Sequence, residues 1–422
     1  MIMNTQRLFY EDVYMTEFEA TIEEILSDDS GLRIRLNRTA FYPEGGGQPC
    51  DTGLICAKEY FSYDRERHHY FMRVTDVQER DGEIWHRVEM FHGRSENGFD
   101  EEIHPESLKA KGLTHQATVI GKIDEHRRLD LMQQHSGEHM VSGLIHRTYG
   151  YDNVGFHLSM DTMTLDLSGE LSWEQVMDIE REVNRLIRKN LPVNIFYPSP
   201  EELKEIDYRS KKELKGEVRI VEVPGADTCA CCGLHVSRTG EIGAVKMLSM
   251  QKWKDGVRIF MCCGERAENY VRMIQEQNRK ISVTLSAKPE ETADAVARVS
   301  GELSKVKYEL TGWKYRLFDA IAAANAEKNE VILFEENLSM EDIRHLTDKL
   351  MKSCAGYCIV FSGDEESGYR YGVGRKDGDV RPLVKAMNEA LSGRGGGKPE
   401  LSQGTVRASK AEIEAWTGEI GE

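Results

Sequence analysis

Two pairs of side chains in this sequence have the types and spacing of metal ligands. His135 and His139 stand four residues apart in a segment where Leu131, Met132 and Met140 recur at helical steps. That step stacks two imidazoles on one helix face about a turn apart, where two ring nitrogens can converge on one ion. Alone, such a pair reads equally well as solvated or core histidines. The second pair lies in Asp227-Thr228-Cys229-Ala230-Cys231-Cys232-Gly233-Leu234-His235, where a cysteine and a histidine are four apart beside a glycine that lets the backbone turn sharply. Cys231 fits the step to His235, whereas Cys229 and Cys232 stand six and three residues from it and need a different backbone path.

Three imidazoles and one thiolate suit zinc, which takes both donor types in a tetrahedral set without redox demands. Four protein ligands mark a structural zinc, while a catalytic one keeps a position open, so His235 would bind loosely or a ligand would move. His135-Ser136-Gly137-Glu138-His139 also fits the H-x-x-E-H pattern of inverted zinc peptidases, with Glu138 as general base. Such peptidases complete the metal with a carboxylate, and the Cys231 and His235 pair argues against that class. A third element, Phe41-Tyr42-Pro43-Glu44-Gly45-Gly46-Gly47-Gln48-Pro49-Cys50-Asp51-Thr52-Gly53, holds three glycines in a row. Their backbone entropy calls for a compensating close approach to a ligand or a neighbouring segment, or else for nothing more than a tight loop.

The elements that must position these residues fall into four stretches. Within residues 1–123, from 15 onward, the signal is mainly period two, as in Phe18, Ala20, Ile22, then Leu32, Ile34, Leu36, then Ile84, His86, Val88, which predicts a small β-barrel. Residues 124–264 switch to a helix carrying His135 and His139, a strand at Met163–Leu167 and a helix from about Ser172 to Lys189, with Ser172 as N-cap and Leu191-Pro192 as the stop. Over 265–325 a 3-4-3-4 spacing runs through Val271, Ile274, Asn278, Ile281 and Leu285, and again through Val296, Val299, Leu303, Val306, Leu310, Trp313 and Leu317. Two coiled-coil-capable helices follow, as an antiparallel hairpin or a parallel dimer. Residues 326–422 alternate strand and helix and end in a glycine-rich run, Gly393 to Gly404, that carries Arg394 and Lys398. The expected fold class is multidomain α+β.

Composition limits the functions open to such a chain. It has 422 residues, a formal charge of −17, 9 cysteines and no apolar run long enough to cross a bilayer, which together predict a membrane-free protein with reduced thiols. The N-terminal residues lack the pattern of a signal peptide, so a cytoplasmic place is expected. The negative net charge opposes a long-range pull on nucleic acid. Local basic surface is available at Arg127-Arg128, at Lys204, Arg209, Lys211, Lys212 and Lys215, and at Lys252 and Lys254, each of which also reads as a solvated helix face.

Taken together the motifs resemble the editing half of alanyl-tRNA synthetase and its free-standing relatives, the AlaX proteins. The resemblance rests on Phe41 to Gly53, on Gln133-Gln134-His135-Ser136-Gly137-Glu138-His139, and on Cys231 to Gly243, over roughly residues 15 to 265. The run from Gly393 to Gly404 resembles the glycine signature of the domain that ends alanyl-tRNA synthetases, which points to the long form of AlaX. The family more often shows Cys-Gly-Gly-Thr-His where this chain has Cys232 and Leu234 at the interior positions. No adenylation core is recognisable, so amino-acid activation is not expected. The resemblance implies hydrolysis in trans of the ester of Ser-tRNA(Ala), and of Gly-tRNA(Ala), with Zn2+ held by His135, His139, Cys231 and His235. It further implies that Gly45, Gly46, Gly47 and Gln48 border the substrate and that Gln48 and Glu138 take part in catalysis. In the mechanism, Glu138 and Asp166 are candidate acceptors for the ligand imidazoles, or else surface carboxylates without a role. Arg394 and Lys398 would give tRNA(Ala) a second hold, and a homodimer would form through the helical region or the C-terminal domain. A tRNA-binding protein with a purely structural zinc is the competing reading.

Overall fold

The computed structural model describes residues 5–28, 31–58, 69–93, 101–102, 113–160, 163–210 and 216–420. It is a mixed α+β chain with several sheets, and it divides into two compact units, Met1–Gln277 and Asn278–Glu422. Lys211, Lys212 and Lys215 lie outside the described residues. Among the described residues no helix is long and apolar enough to cross a membrane.

The first unit opens with a barrel. Strand Gly31–Leu36 pairs with Glu17–Asp28 on one side and with Glu83–Gly93 on the other. Thr118–Ile123, Gly53–Ala57 and His69–Arg80 complete a ring of six strands, which leaves no open edge within the ring. The period-two residues face inward, with Phe18, Ala20, Ile22, Leu32, Ile34, Leu36, Ile84 and Val88 all buried. His86 keeps the same alternation and lies wholly inside the barrel. Its Nε2 meets Thr39 Oγ1 at 2.9 Å and its Nδ1 meets Ile34 O at 3.2 Å. Burial pushes this imidazole down to about 4, so it is neutral in the fold.

The barrel hands over to a long helix, Glu125–Tyr149, capped by the Asp124 side chain on Arg127 N and stopped by Gly150 at φ 73°. A buried ion pair fixes the join. Arg128 donates through Nε to Asp51 Oδ1 at 3.0 Å and through Nη1 and Nη2 to the carbonyls of Val13 and Ala40. Arg127 donates through Nε and Nη2 to Cys50 O. The expectation that Arg127 and Arg128 form a free basic surface therefore fails, because Arg128 is buried on Asp51 and two backbone carbonyls and the half-buried Arg127 is bonded to Cys50 O. Lys252 is paired with Glu170 at 3.0 Å, but both side chains are exposed.

The long helix and helix Trp173–Arg188 pack on a four-stranded sheet, ordered Asn153–Leu158, Met163–Leu167, Gly256–Cys263, Val245–Trp253. Ser172 caps the second helix in a reciprocal box with Gln175. A three-stranded sheet of Asn194–Phe196, Ile220–Val223 and Asp227–Ala230 brings the Cys231 segment in over the long helix.

Helix Gly264–Leu285 runs across the division between the units, and helix Thr292–Ala324 belongs to the second. The heptad residues of the latter are exposed in the single chain, at 53% for Leu303 and 65% for Trp313, so the stripe is no buried seam here. Its last turns pack through Phe318 and Ala322 on helix Met340–Ser353, with Lys314 bonded to Asp342 at 2.7 Å. The second unit is completed by a five-stranded sheet, ordered Glu330–Phe334, Tyr357–Asp364, Gly368–Arg375, Leu401–Val406, Arg394–Gly397. Its first pair is parallel and the rest are antiparallel.

Two stability measurements follow. Arg128→Met leaves a buried, unpaired Asp51 and is expected to cost about 3–5 kcal/mol in urea unfolding, with part recovered in the Arg128→Met, Asp51→Leu double variant. A single variant within about 1 kcal/mol of wild type contradicts the role given to this pair. For His86, the unfolded chain takes up a proton below pH 6.5 that the fold refuses until about pH 4, so stability falls as pH falls across that window and levels off below it. The full shift corresponds to about 3 kcal/mol. Unfolding of wild type and His86→Gln at pH 7 and pH 4 should show the variant losing correspondingly less stability. Parallel losses in the two proteins contradict it.

Candidate metal centre

The long helix places His135 and His139 on one face, both buried, and the segment after strand Asp227–Ala230 brings Cys231 and His235 to them. The ligand-type atoms of these four residues all lie within 4.8 Å of one another. Cys231 Sγ is 3.5 Å from His135 Nε2. The choice of sulfur is thereby made: Cys231 meets all three imidazoles, Cys232 is exposed, and Cys229 groups with His139 and Asp227 instead.

What turns three imidazoles into ligands is the occupation of their other nitrogens. His135 Nδ1 donates to Gln48 Oε1 at 2.9 Å, and the same oxygen accepts from Leu234 N at 2.9 Å. His139 Nδ1 donates to Asp227 Oδ2 at 3.0 Å. His235 Nδ1 lies 3.2 Å from Ser136 Oγ, which also accepts from Val236 N at 3.1 Å. With every Nδ1 on an acceptor, each Nε2 is left for the shared centre, the arrangement that sets tautomer and ring orientation around zinc. His235 Nε2 is buried with no hydrogen-bond partner among the described residues, a costly state for a polar atom that a cation would relieve. The donor set therefore fits zinc.

The charges agree. Burial raises the Cys231 thiol, but His135 and His139 beside it outweigh that and hold it well below the ordinary thiol range, as a thiolate. Gly233 N donates to the sulfur at 3.3 Å. Burial would lower His139, yet the Cys231 sulfur and the Asp227 carboxylate hold it well above its usual value, so without an ion the ring keeps a proton that a bound metal would have to displace. His235 is pushed down to about 3, chiefly by burial, and is neutral as a ligand must be.

The glycine segment of the barrel closes over this centre. Gly45 and Gln48 form a tight turn, Gly45 N to Gln48 O at 3.1 Å and Gln48 N to Gly45 O at 2.9 Å, with Gly46 and Gly47 both at positive φ. Phe156 stacks on His135 with ring centroids 5.6 Å apart. On the facing loop a Cβ at Gly233 would fall 2.0 Å from the His135 ring, so only glycine fits. Tyr10 Oη donates to Cys232 O at 2.7 Å, and Arg219 donates to the carbonyls of Cys231 at 2.8 Å and Gly233 at 2.9 Å, which fixes the loop.

The other expected residues lie as follows. Glu138 is buried and accepts from Asn153 Nδ2 at 2.5 Å; it is not one of the four converging groups. Asp166 is bound at 2.6 and 2.7 Å by Arg258, whose guanidinium lies over the Trp253 ring, and has no part in orienting the imidazoles. Arg394 and Lys398 belong to the second unit, on its glycine-rich edge. Lys398 lines a cavity of about 990 Å³ there, together with Glu341, Arg344, His345, Asp348 and Glu400. The sequence carries no signal for the bonds of Asp227 to His139, of Ser136 to His235 or of Gln48 to His135.

Comparison with known proteins adds the relationship. Over 97% of this chain and 96% of its own length, the alanyl-tRNA editing protein AlaX-L of Pyrococcus horikoshii is 28% identical. This chain is a relative of the AlaX-L editing proteins. The alanine–tRNA ligases of Pyrococcus furiosus and Pyrococcus abyssi are each 30% identical over 96% of the chain, which spans only 42% of their length. Residues 218–259, with Cys231 and His235 among them, match the second additional domain of threonyl and alanyl tRNA synthetases, and residues 327–416 match the DHHA1 domain. The similarity to these ligases is thus to less than half of their length.

Gln48→Leu keeps the side-chain bulk and removes the acceptor for His135 Nδ1. Zinc affinity, read by competition with a chelator, should fall about 10–100-fold. Unchanged affinity contradicts the orienting role of Gln48.

Proposed function

We propose that this chain is a zinc-dependent aminoacyl-tRNA deacylase that hydrolyses, in trans, the ester of tRNA(Ala) carrying serine, and of tRNA(Ala) carrying glycine. The observation that carries the reading is the set of three imidazoles, every Nδ1 held, whose ligand-type nitrogens and one thiolate lie within 4.8 Å of one another, in a relative of AlaX-L. His135, His139, Cys231 and His235 would hold the zinc. When bound there, zinc supplies Lewis acidity toward an ester carbonyl and toward water.

The chain's own residues do the rest. Gln48 spends its amide oxygen on His135 and Leu234, and its buried Nε2 has no partner among the described residues, so this reading assigns that donor to the substrate. Glu138, held through Asn153 Nδ2, is assigned the proton of the attacking water. Phe156 and the Gly45 to Gly47 turn wall off the centre from bulk solvent. A serine hydroxyl can be recognised positively by such donors, whereas a site built to select alanine cannot exclude serine strongly by its hydroxyl alone. The exposed strand Arg394–Gly397 and Lys398 give the tRNA a second hold, the exposed stripe of helix Thr292–Ala324 serves a homodimer, and a cytoplasmic place follows from the substrate. The division into 1–123, 124–264, 265–325 and 326–422 is kept as part of this reading.

Four protein ligands also favour a second reading, a tRNA-binding protein whose zinc is structural. Incubation with Ser-tRNA(Ala) separates the two. The wild type should release serine and leave Ala-tRNA(Ala) intact. His139→Ala should lose on the order of 100-fold or more in deacylation while still binding tRNA. Retained tRNA binding by wild type without deacylation contradicts the enzyme.

A further inference from the structure

We propose that Arg209 is a positioning residue of the metal centre, acting on His139 through Asp227; the inference rests on the metal-centre reading above. Asp227 gives each carboxylate oxygen one task. Oδ2 accepts from His139 Nδ1 at 3.0 Å, and Oδ1 accepts from Arg209 Nε at 2.8 Å. The guanidinium then reaches through Nη2 to Ser142 Oγ at 2.8 Å. Ser142 sits three residues after His139 on the same helix and donates back to His139 O at 3.4 Å. A closed circuit results, running from ligand to carboxylate to guanidinium to the helix that carries the ligand.

Such a circuit removes a freedom that one hydrogen bond leaves. A carboxylate held only by an imidazole can turn about its own axis and take the ring with it. A planar guanidinium fixed at two ends sets the plane of the carboxylate as well as its place. Arg209 is itself locked to the strand that leads to Cys231, since its N donates to Thr228 O at 2.9 Å and its O accepts from Ala230 N at 2.9 Å. The helix half and the strand half of the ligand set thus share one reference point. The close approach is possible only over Gly143, where a Cβ would lie 2.5 Å from both Ala226 O and the Asp227 Cβ.

In the sequence Arg209 reads as one member of a basic cluster for nucleic acid, and a cavity of about 440 Å³ does reach it, lined also by His146, Arg147 and Tyr208. Its Nε and Nη2 are nonetheless committed inward, to Asp227 and Ser142.

The test uses the full chain with Arg209→Gln, Arg209→Lys and Ser142→Ala. Zinc affinity is read by chelator competition, ring placement by the visible spectrum of the cobalt-substituted protein, folding by circular dichroism, and turnover by kcat and KM on Ser-tRNA(Ala). Arg209→Gln is expected to lose about 10–100-fold in zinc affinity, to shift the cobalt bands and to lower kcat with KM for tRNA within about twofold. Arg209→Lys, which keeps the charge but cannot span both partners, should recover only part. If Arg209→Gln does not fold, Ser142→Ala decides, by a smaller loss of zinc affinity in a folded protein. Unchanged zinc affinity and cobalt spectrum in the folded variants overturn the inference, as does a loss confined to tRNA binding. A wild type that takes up no zinc fails the metal-centre reading itself, and a wild type that takes up zinc without deacylation fails only the enzymatic one.

Discussion

An imidazole becomes a dependable metal ligand only when its second nitrogen is settled, and the first unit of this protein is organised around settling three of them. The three acceptors come from three places: the Gln48 amide from the barrel, the Asp227 carboxylate from a strand, and the Ser136 hydroxyl from the ligand helix itself. Remove any one and the corresponding ring is free to offer the wrong nitrogen. The converging geometry thus belongs to the surroundings as much as to the four ligands.

The architecture reads as the means to that end. Gln48 reaches His135 only because the barrel is bolted to the ligand helix, and the bolt is Asp51 with Arg128, two charged groups buried against each other and against backbone carbonyls. A buried pair of this kind adds little net stability over an apolar substitute, but it tolerates only one relative placement of the segments it joins. The Cys231 segment is held by Tyr10, Arg219 and Gly233 with the same economy of freedom. Two arginines that a strongly acidic chain might turn toward nucleic acid, Arg128 and Arg209, are instead committed to buried carboxylates, whereas Lys204, Lys252 and Lys254 stay exposed.

Much of this was legible in the sequence where signal is local. His135 with His139, and Cys231 with His235, announce themselves by a four-residue step, and the barrel announces itself by alternation, because covalent spacing maps directly onto a helix face or a strand face. Ser172 reads as a cap for the same reason. The orienting groups were not legible. Gln48 and Asp227 act on histidines 87 and 88 positions away, and no spacing rule marks an acceptor at that distance. Arg128 looked like surface charge because its partner, Asp51, is 77 positions off. The heptad stripe from Val296 to Leu317 shows the reverse limit: periodicity tells which face is apolar, not what covers it.

Zinc K-edge X-ray absorption on the purified, metal-loaded protein tests the central claim most directly. One sulfur at about 2.3 Å, with nitrogen-type scatterers at about 2.0–2.1 Å that carry the outer-shell pattern of imidazole, is the predicted result. Two or more sulfurs, which would bring in Cys229 or Cys232, or a shell without sulfur, would contradict it.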